Sequence, residues 1–403
     1  MKRILILSEL WYPQGGGAEL ATYLYVKKMM DAGIKVTLFT NCDANTKDLA
    51  EDATIKFPFR VSSLTKPGLL LNKHIIEKKV KKLSINHDII YIPGKLIFLA
   101  PVLRKTNPSS RIIVHLHDYQ LVCPHASLYN FTHFQRCRVI WNDSMCARCT
   151  FKYESIDKGG LVKPLFGFSE TLAWKRVLDF SKTLYSVETF FTVSKRQTEI
   201  IAGILGKYSN DFLKKNITLY NPVDESINYI PPTFGKEVCL GFMGGDRYIK
   251  GFDLAKTIVQ QLNEGSFKIL ITKSKNIRKD NNLEFLGFLS KKEIVNFFKQ
   301  VWMVLFMSRW DEPLPYVIAE AQLRGRPVIA RDVGGVEESI AKRGFTGDFI
   351  DESYESFESH IKEYSVLLEG RASEYTEEIS SVSKDFFEAR TVTSYDTFLK
   401  LLN

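Results

Sequence analysis

The chain has 403 residues, 45% hydrophobic and 25% charged, with a formal net charge of +9. That usage is ordinary for a globular protein and excludes a largely disordered one; at roughly 150 residues per domain the length predicts two or three domains. No run approaches the ~20 uninterrupted apolar residues of a spanning helix, since even the densest, 297–307, contains Lys299 and Gln300. The N-terminal apolar run 4–7 stops at Ser8 and Glu9. It is too short for a secretory h-region of ~7–15 residues, so it reads as structure and the expected location is the cytoplasm.

The elements alternate. Residues 2–7 form a continuous β-type run, as expected for a strand covered on both faces. Gln14-Gly15-Gly16-Gly17 breaks it, 18–30 reads as a helix with Gly33 as its stop, and 35–40 is a second strand. Such a strand–glycine loop–helix–strand unit builds parallel sheets. Residues 89–92, 111–116 and 190–193 read as further strands, the last followed by a Ser194 cap and a helix from about Arg196. Residues 216–220 run into Asn221-Pro222-Val223-Asp224, and 225–236, with Pro231, Pro232 and Gly235, read as a linker.

The rhythm then restarts. Strand 238–243 is followed by the turn Gly244-Gly245-Asp246 and a helix from Phe252. Strands 267–272 and 283–286, helix 291–300, strand 301–307, helix 315–324, strand 327–331 and a tail helix 383–402 complete it. Two α/β repeats joined by one linker imply two doubly wound, Rossmann-like domains, 1–228 and 229–384, facing across a cleft at the carboxyl ends of their strands.

Charge is uneven. Residues 1–200 hold 29 Lys and Arg against 17 Asp and Glu; 201–403 hold 26 against 29. A basic half suits an anionic partner, or is a solvated face. The segment 74–84, HIIEKKVKKLS, sets four Lys among Ile75, Ile76, Val80 and Leu83. A helix of that kind either lies on anionic lipid at ~1 kcal/mol per cation or is an ordinary surface helix.

Four places could carry chemistry. Gly15-Gly16-Gly17, before a helix, lets backbone approach a phosphate, or is a structural turn. His117-Asp118 follows a central strand, where open α/β sheets place reactive groups. Lys250-Gly251 can set a point charge on a phosphate, or is a surface pair. In 308–321, SRWDEPLPYVIAEA, Pro315 suits a first helical turn whose N–H groups, at Tyr316 and its neighbours, could meet a diphosphate. Glu320 lies ~7.5 Å along that helix from its start, where a carboxylate can accept both hydroxyls of a ribose diol.

Six cysteines do not make a secreted disulfide framework, but Cys123, Cys137, Cys146 and Cys149 lie close together, the last two as C-x-x-C, with His125 and His133 between. A zinc site, disulfides pinning an insertion, and reduced buried thiols all fit the spacing.

Taken together, E-x7-E at Glu312 and Glu320, the run Gly325-Arg326-Pro327-Val328-Ile329-Ala330 and Gly334-Gly335-Val336-Glu337-Glu338 resemble the retaining glycosyltransferases of family 4. The glycine loop, His117-Asp118, Ser194, Asn221-Pro222-Val223-Asp224, Lys250-Gly251 and Phe285-Leu286-Gly287 fall in that family's order, so that the resemblance spans about residues 3–345. It implies the GT-B fold, with a C-terminal helix, 385–403, packing back on the first domain. It implies an enzyme that moves a sugar from a nucleotide-diphosphate sugar to a glycan or lipid-phosphate acceptor with retention.

The resemblance also implies roles. Glu320 would bind the donor ribose. Glu312 and the segment Leu314, Pro315 and Tyr316 would hold the donor, with backbone donors beginning at Leu314 because Pro313 has no N–H. Lys250 would neutralise the diphosphate, Gly16 and Gly17 would approach it from the other domain, and His117 would sit beside the transferred sugar, so that His117, Lys250 and Glu312 are the expected catalytic residues. The loop after Leu286-Gly287 would meet the base. Where the family commonly has Gly-Arg, this chain has Gly244-Gly245; Arg247 could replace that arginine.

Breaking the sugar–phosphate bond releases an anion whose stabilisation is the main electrostatic task. With no Asp-x-Asp in the sequence, transfer is expected without metal or other cofactor. A peripheral contact with anionic membrane stands beside the reading of 74–84 as an ordinary surface helix, and no nucleic-acid motif is present. A GT-B nucleotide-sugar epimerase and a non-catalytic nucleotide-sugar-binding partner are the alternatives.

Overall fold

A computed structural model describes residues 2–41, 44–47, 49, 53–57, 66–139, 141, 143–158, 163–262, 267–350 and 354–402. The chain divides into unit 1, Met1–Pro222 with Thr391–Asn403, and unit 2, Val223–Arg390. The divide therefore falls six residues to either side of the expected boundaries at 228 and 384. The segment expected as a linker is part of unit 2. Arg326 Nη2 donates to the Ile230 carbonyl at 2.9 Å, the Thr233 N–H to the Lys299 carbonyl at 2.7 Å, and Phe234 stacks on Trp302 at 4.6 Å. Proline and glycine signalled a lack of regular structure there, not a lack of partners.

Unit 1 contains strands β1 (Arg3–Leu7), β2 (Lys35–Thr40), β3 (Thr54–Lys56), β4 (Ile89–Ile92) and β5 (Arg111–Leu116). A short antiparallel hairpin of β6 (Tyr129–Asn130) and β7 (Gln135–Arg136) follows, then β8 (Thr189–Thr192) and β9 (Asn216–Thr218). The main sheet has the order β3-β2-β1-β4-β5-β8-β9, and every pair in it is parallel. Residues Ile4–Leu7 of β1 and all of β4 and β8 are buried, as runs apolar on both faces require. Phe398 and Leu402 of the last helical segment, Tyr354–Leu402, which is broken at Arg371, complete this core against Tyr25, Tyr91 and Phe191.

Unit 2 contains β10 (Val238–Phe242), β11 (Phe267–Thr272), β12 (Arg278–Asp280), β13 (Leu283–Gly287), β14 (Val301–Phe306), β15 (Val328–Arg331) and β16 (Gly347–Ile350), in the order β12-β13-β11-β10-β14-β15-β16. All pairs are parallel except β12 on β13 at one edge. Both sheets reverse direction beside their first strand, between β1 and β4 and between β10 and β14. In open α/β sheets ligands bind at that reversal, outside the carboxyl ends of the strands.

Between β5 and β8 lies an insertion with helices Asp143–Tyr153, Lys163–Val177 and Phe180–Ser186. The basic segment belongs to a longer helix, Lys66–Ser84, which buries Ile76 and Val80 and exposes Leu71 and Ile75. Among the described residues, no helix is long and apolar enough to cross a membrane.

Candidate functional site

At the reversal in unit 2, β14 ends at Phe306 and the chain continues through Ser308 to Glu312. The Glu312 carboxylate is buried, and three donors reach its Oε1: Lys250 Nζ at 2.5 Å, Trp310 Nε1 at 2.8 Å and Ser308 Oγ at 3.1 Å. The Lys250 ammonium also lies 5.4 Å from the centre of the Trp310 ring. A buried carboxylate with a cation and two neutral donors is a satisfied charge in a fixed place. Lys250 arrives there because Gly251, at φ +76°, lets the loop after β10 touch the end of β14. A Cβ at Gly251 would sit 1.8 Å from the Met307 carbonyl oxygen.

The glycine pair after β15 clamps the same loop from the other side. The Gly334 N–H donates to Asp311 Oδ1 at 3.1 Å and the Gly335 N–H to the Glu312 carbonyl at 2.8 Å, while Arg331 Nη1 donates to the Ser308 carbonyl at 3.0 Å. Arg309 is ion-paired with Asp253 and lies 4.4 Å from the Tyr248 ring.

Pro315 then opens the helix Tyr316–Leu323, whose Ile318 N–H donates to the Pro315 carbonyl at 3.3 Å. Leu314 and Pro315 are buried and Tyr316 half-buried. Glu320 is half-buried too, with Arg324 one turn on donating to its carbonyl at 3.0 Å. Burial holds the Arg324 guanidinium below its ordinary value, opposed by the charges of Glu320 and Asp224. Past β13, Phe288 is 81% exposed in the loop expected to meet a base.

Gly245 stands at φ +67°, and a Cβ there would lie 2.7 Å from the Lys273 carbonyl oxygen. An arginine here would have to displace that backbone.

Unit 1 is built differently at its own reversal. Glu9, just past β1, is buried; its Oε1 accepts the Lys95 N–H at 3.1 Å and lies 4.0 Å from Lys95 Nζ, while its Oε2 has no partner. His117, past β5, lies with its ring centre 4.1 Å from that of His115 and tilted against it, and His115 is bonded through Nδ1 to the Tyr91 hydroxyl at 2.6 Å. Asn221 is beside His117, yet neither ring nitrogen nor Asn221 Oδ1 has a partner at hydrogen-bonding geometry. Burial pushes the His117 imidazole down to about 3, so it is neutral at physiological pH. Asp118 is pushed up to about 6 by burial, against the pull of Gln120, whose N–H and side-chain amide donate to it at 2.8 and 2.7 Å. Lys66, over the Trp174 ring at 5.2 Å, is pushed down to about 8 by burial.

Gly16 and Gly17 also lie in unit 1. Gly17 starts the helix Gly17–Asp31, and the Gly16 N–H already donates to Glu19 Oε2 at 2.7 Å. Burial raises the Glu19 carboxyl above its usual range. An anion at this loop would compete with that carboxylate.

The structure thus joins Lys250 to Glu312, places Leu314, Pro315, Tyr316 and Glu320 directly downstream, and puts Gly16, Gly17 and His117 in unit 1. Sequence reading missed Ser308 and Trp310 as donors to Glu312, and Glu9, Lys66 and Lys95 altogether. The signal for Glu9 and Lys95 was position, since each closely follows a strand flanking the reversal.

Residues 239–376 match the family model of the group 1 glycosyl transferases. The protein is a glycosyltransferase. This glycosyltransferase is 23% identical, over 372 residues, to an uncharacterized 42.6 kDa protein in the cps region of Klebsiella pneumoniae; the match spans 83% of this chain and 86% of that one. Among solved structures, HepE of Anabaena in complex with UDP is similar over 100% of this chain and 99% of that one, with a TM-score of 0.67 at 15% identity. The lipopolysaccharide outer core galactosyltransferase WaaB is similar over 100% of both chains, with a TM-score of 0.61 at 14% identity. The shared fold is GT-B, as expected from the sequence.

Proposed function

We propose that this glycosyltransferase takes a nucleoside diphosphate sugar and transfers the sugar, with retention and without a metal, to a glycan or lipid-linked phosphate acceptor. The observation that carries the reading is the Lys250–Glu312 pair at the β10/β14 reversal, just ahead of the helix Tyr316–Leu323. An incoming diphosphate competes with Glu312 for the Lys250 ammonium. When Lys250 moves to the phosphate, Glu312 stays anchored by Trp310 and Ser308 and can accept a sugar hydroxyl. The first-turn N–H groups and positive dipole end of the helix add to the charge that stabilises the departing diphosphate. Glu320 accepts the ribose hydroxyls. Retention follows from the E-x7-E resemblance, and independence of metal from the lack of Asp-x-Asp.

His117 is proposed to lie against the transferred sugar, where a neutral imidazole can hydrogen-bond a hydroxyl without adding charge. An acceptor phosphate suits the basic balance of the first 200 residues. The exposed Leu71 and Ile75 beside Lys78, Lys79 and Lys82 suit contact with an anionic membrane from the cytoplasmic side. UDP sugars come first among donors to test, because HepE has been crystallised with UDP and with UDP-glucose.

The test incubates the chain with radiolabelled nucleotide sugars and a lipid-phosphate extract in the presence of EDTA. Label moving to lipid is the expected result. Sugar isomerised without an acceptor, or binding without turnover for every donor, would overturn the reading.

A further inference from the structure

The insertion between β5 and β8 carries an apolar groove that the transfer site does not use. Its two longer helices, Asp143–Tyr153 and Lys163–Val177, meet at Thr150 and Thr171, whose buried hydroxyls are bonded at 2.8 Å. The next residue along each helix turns outward: Phe151 is 42% exposed and Leu172 41%. With Ala147 they form the apolar wall of a groove of ≈ 600 Å³, inside the range of ~300–1,000 Å³ of small-molecule sites. The insertion's four cysteines line a separate, smaller cavity as free thiols, and no three ligating groups among the described residues are placed to hold a metal ion.

Arg148 and Lys152, one turn apart on the first of these helices, also line the groove, and both are exposed. Long basic side chains extend an apolar wall with their stems while their charged heads stay in water. Arg148 Nε donates to the Ser144 carbonyl at 3.4 Å, and among the described residues neither cation has a carboxylate partner. Glu154 and Asp157 are buried, so the exposed charge of residues 144–157 is wholly positive. An apolar slot edged by two unpaired cations fits a molecule that is hydrocarbon at one end and anionic at the other. The groove belongs to the same edge of unit 1 as His117. The insertion leaves the sheet at Leu116, and Trp174 Nε1, two residues past Leu172, donates to the Gln120 carbonyl at 3.1 Å.

We propose that this groove holds the hydrocarbon chain of a lipid phosphate, with Arg148 and Lys152 on the phosphate. The choice of lipid rests on the lipid-linked acceptor of the transfer reading, which the groove would anchor by its chain. Phe151, Leu172 and Ala147 offer a narrow slot for one chain, a smaller surface than the ~800 Å² per side that a stable protein–protein interface buries. The phosphate answers the two cations, which a neutral chain would leave without a counter-charge. Chain burial then supplies affinity, and the phosphate contact fixes which end of the lipid faces out.

Farnesyl phosphate below its micellar concentration is the probe, with farnesol and inorganic phosphate as controls, and calorimetry on the full chain reads binding. The wild type is expected to bind farnesyl phosphate more tightly than either control. Leu172→Glu should weaken that binding about tenfold or more, because a carboxylate then stands in the apolar wall. Arg148→Gln with Lys152→Gln should bring farnesyl phosphate down to the affinity of farnesol and leave farnesol unchanged. UDP affinity, expected to be the same in every variant, shows that each is folded. Three results would overturn the proposal: farnesyl phosphate bound equally by wild type and Leu172→Glu, inorganic phosphate bound as tightly as farnesyl phosphate, or a dimer that Leu172→Glu splits, which would give the groove to a second copy of the chain. Transfer to a lipid-phosphate extract separates this proposal from the reading it rests on. An unchanged KM for the lipid in Leu172→Glu overturns the groove alone. Probe binding that Leu172→Glu abolishes, in a wild type that moves sugar to no lipid, upholds the groove and overturns the acceptor.

Discussion

The two sheets reverse at equivalent places, and at each reversal a glutamate meets a lysine, yet the two pairs differ. In unit 2, Lys250 and Glu312 are in direct contact and two further donors fix the carboxylate. In unit 1, Lys95 and Glu9 stand 4.0 Å apart with one carboxylate oxygen unpartnered, and nearby lie a histidine with two orphaned nitrogens, a carboxyl raised to about 6 and a lysine lowered to about 8. The same topology thus supports one edge whose polarity is completed by the chain and one whose polarity is left incomplete. A completed edge suits a ligand with a constant part, such as a diphosphate. An incomplete edge suits a ligand that supplies the missing partners itself.

The comparison breaks first at Lys250. Lys250→Ala should lower the rate of transfer by about 10²- to 10³-fold, the scale for losing one donor to a developing anion, with unchanged circular dichroism. A loss below tenfold would remove the pair from the chemistry. Glu320→Ala should weaken nucleotide binding by about 10- to 100-fold, since a hydrogen bond to a charged group contributes roughly 1.5–3 kcal/mol. Calorimetry with UDP reads this, and an unchanged Kd would place the ribose elsewhere. On the unit 1 side, His117→Asn should reduce turnover while nucleotide affinity stays within about twofold; equal losses in both would move His117 into the donor site.

Asp118 gives the smallest and most specific effect. Its folded carboxyl titrates at about 6 against an ordinary 3.8. Between those values the folded state holds the proton and the unfolded state does not, so stability falls as pH rises toward 6. Asp118→Asn should therefore melt higher than wild type at pH 7, by ~2–4 °C for each kcal/mol relieved in a unit of this size, and the gain should vanish near pH 4. A pH-independent difference would mean that Gln120 and Lys66 fully compensate the charge.

Much of the fold was legible because buried parallel strands are written as unbroken apolar runs. Residues 35–40, 89–92, 111–116 and 267–272 are strands with the expected bounds. The edge strands β3 and β12 escaped, since each is three residues long and carries no such run, β3 being half-buried and β12 exposed. The first part of the last helical segment escaped although its signal was present: Phe357, Ile361, Tyr364 and Leu368 before the break at Arg371, and Tyr375 and Ile379 after it, are buried at helical spacing. In the site, Lys250 and Glu312 could be named from motifs, but their contact could not, because it depends on Gly251 letting two loops touch. The polarity of unit 1 was hidden for the same reason. A titration displaced by burial belongs to the packed state and leaves no trace in residue order.

Phe398 and Leu402 sit in the core built by residues 4–219. On the ribosome, the first half of this protein therefore emerges with an open gap in its interior and must wait for nearly two hundred further residues before the plug arrives. A chaperone that shields aromatic surface would find its target there, and a premature stop codon a dozen residues from Leu402 would damage the half of the molecule made first.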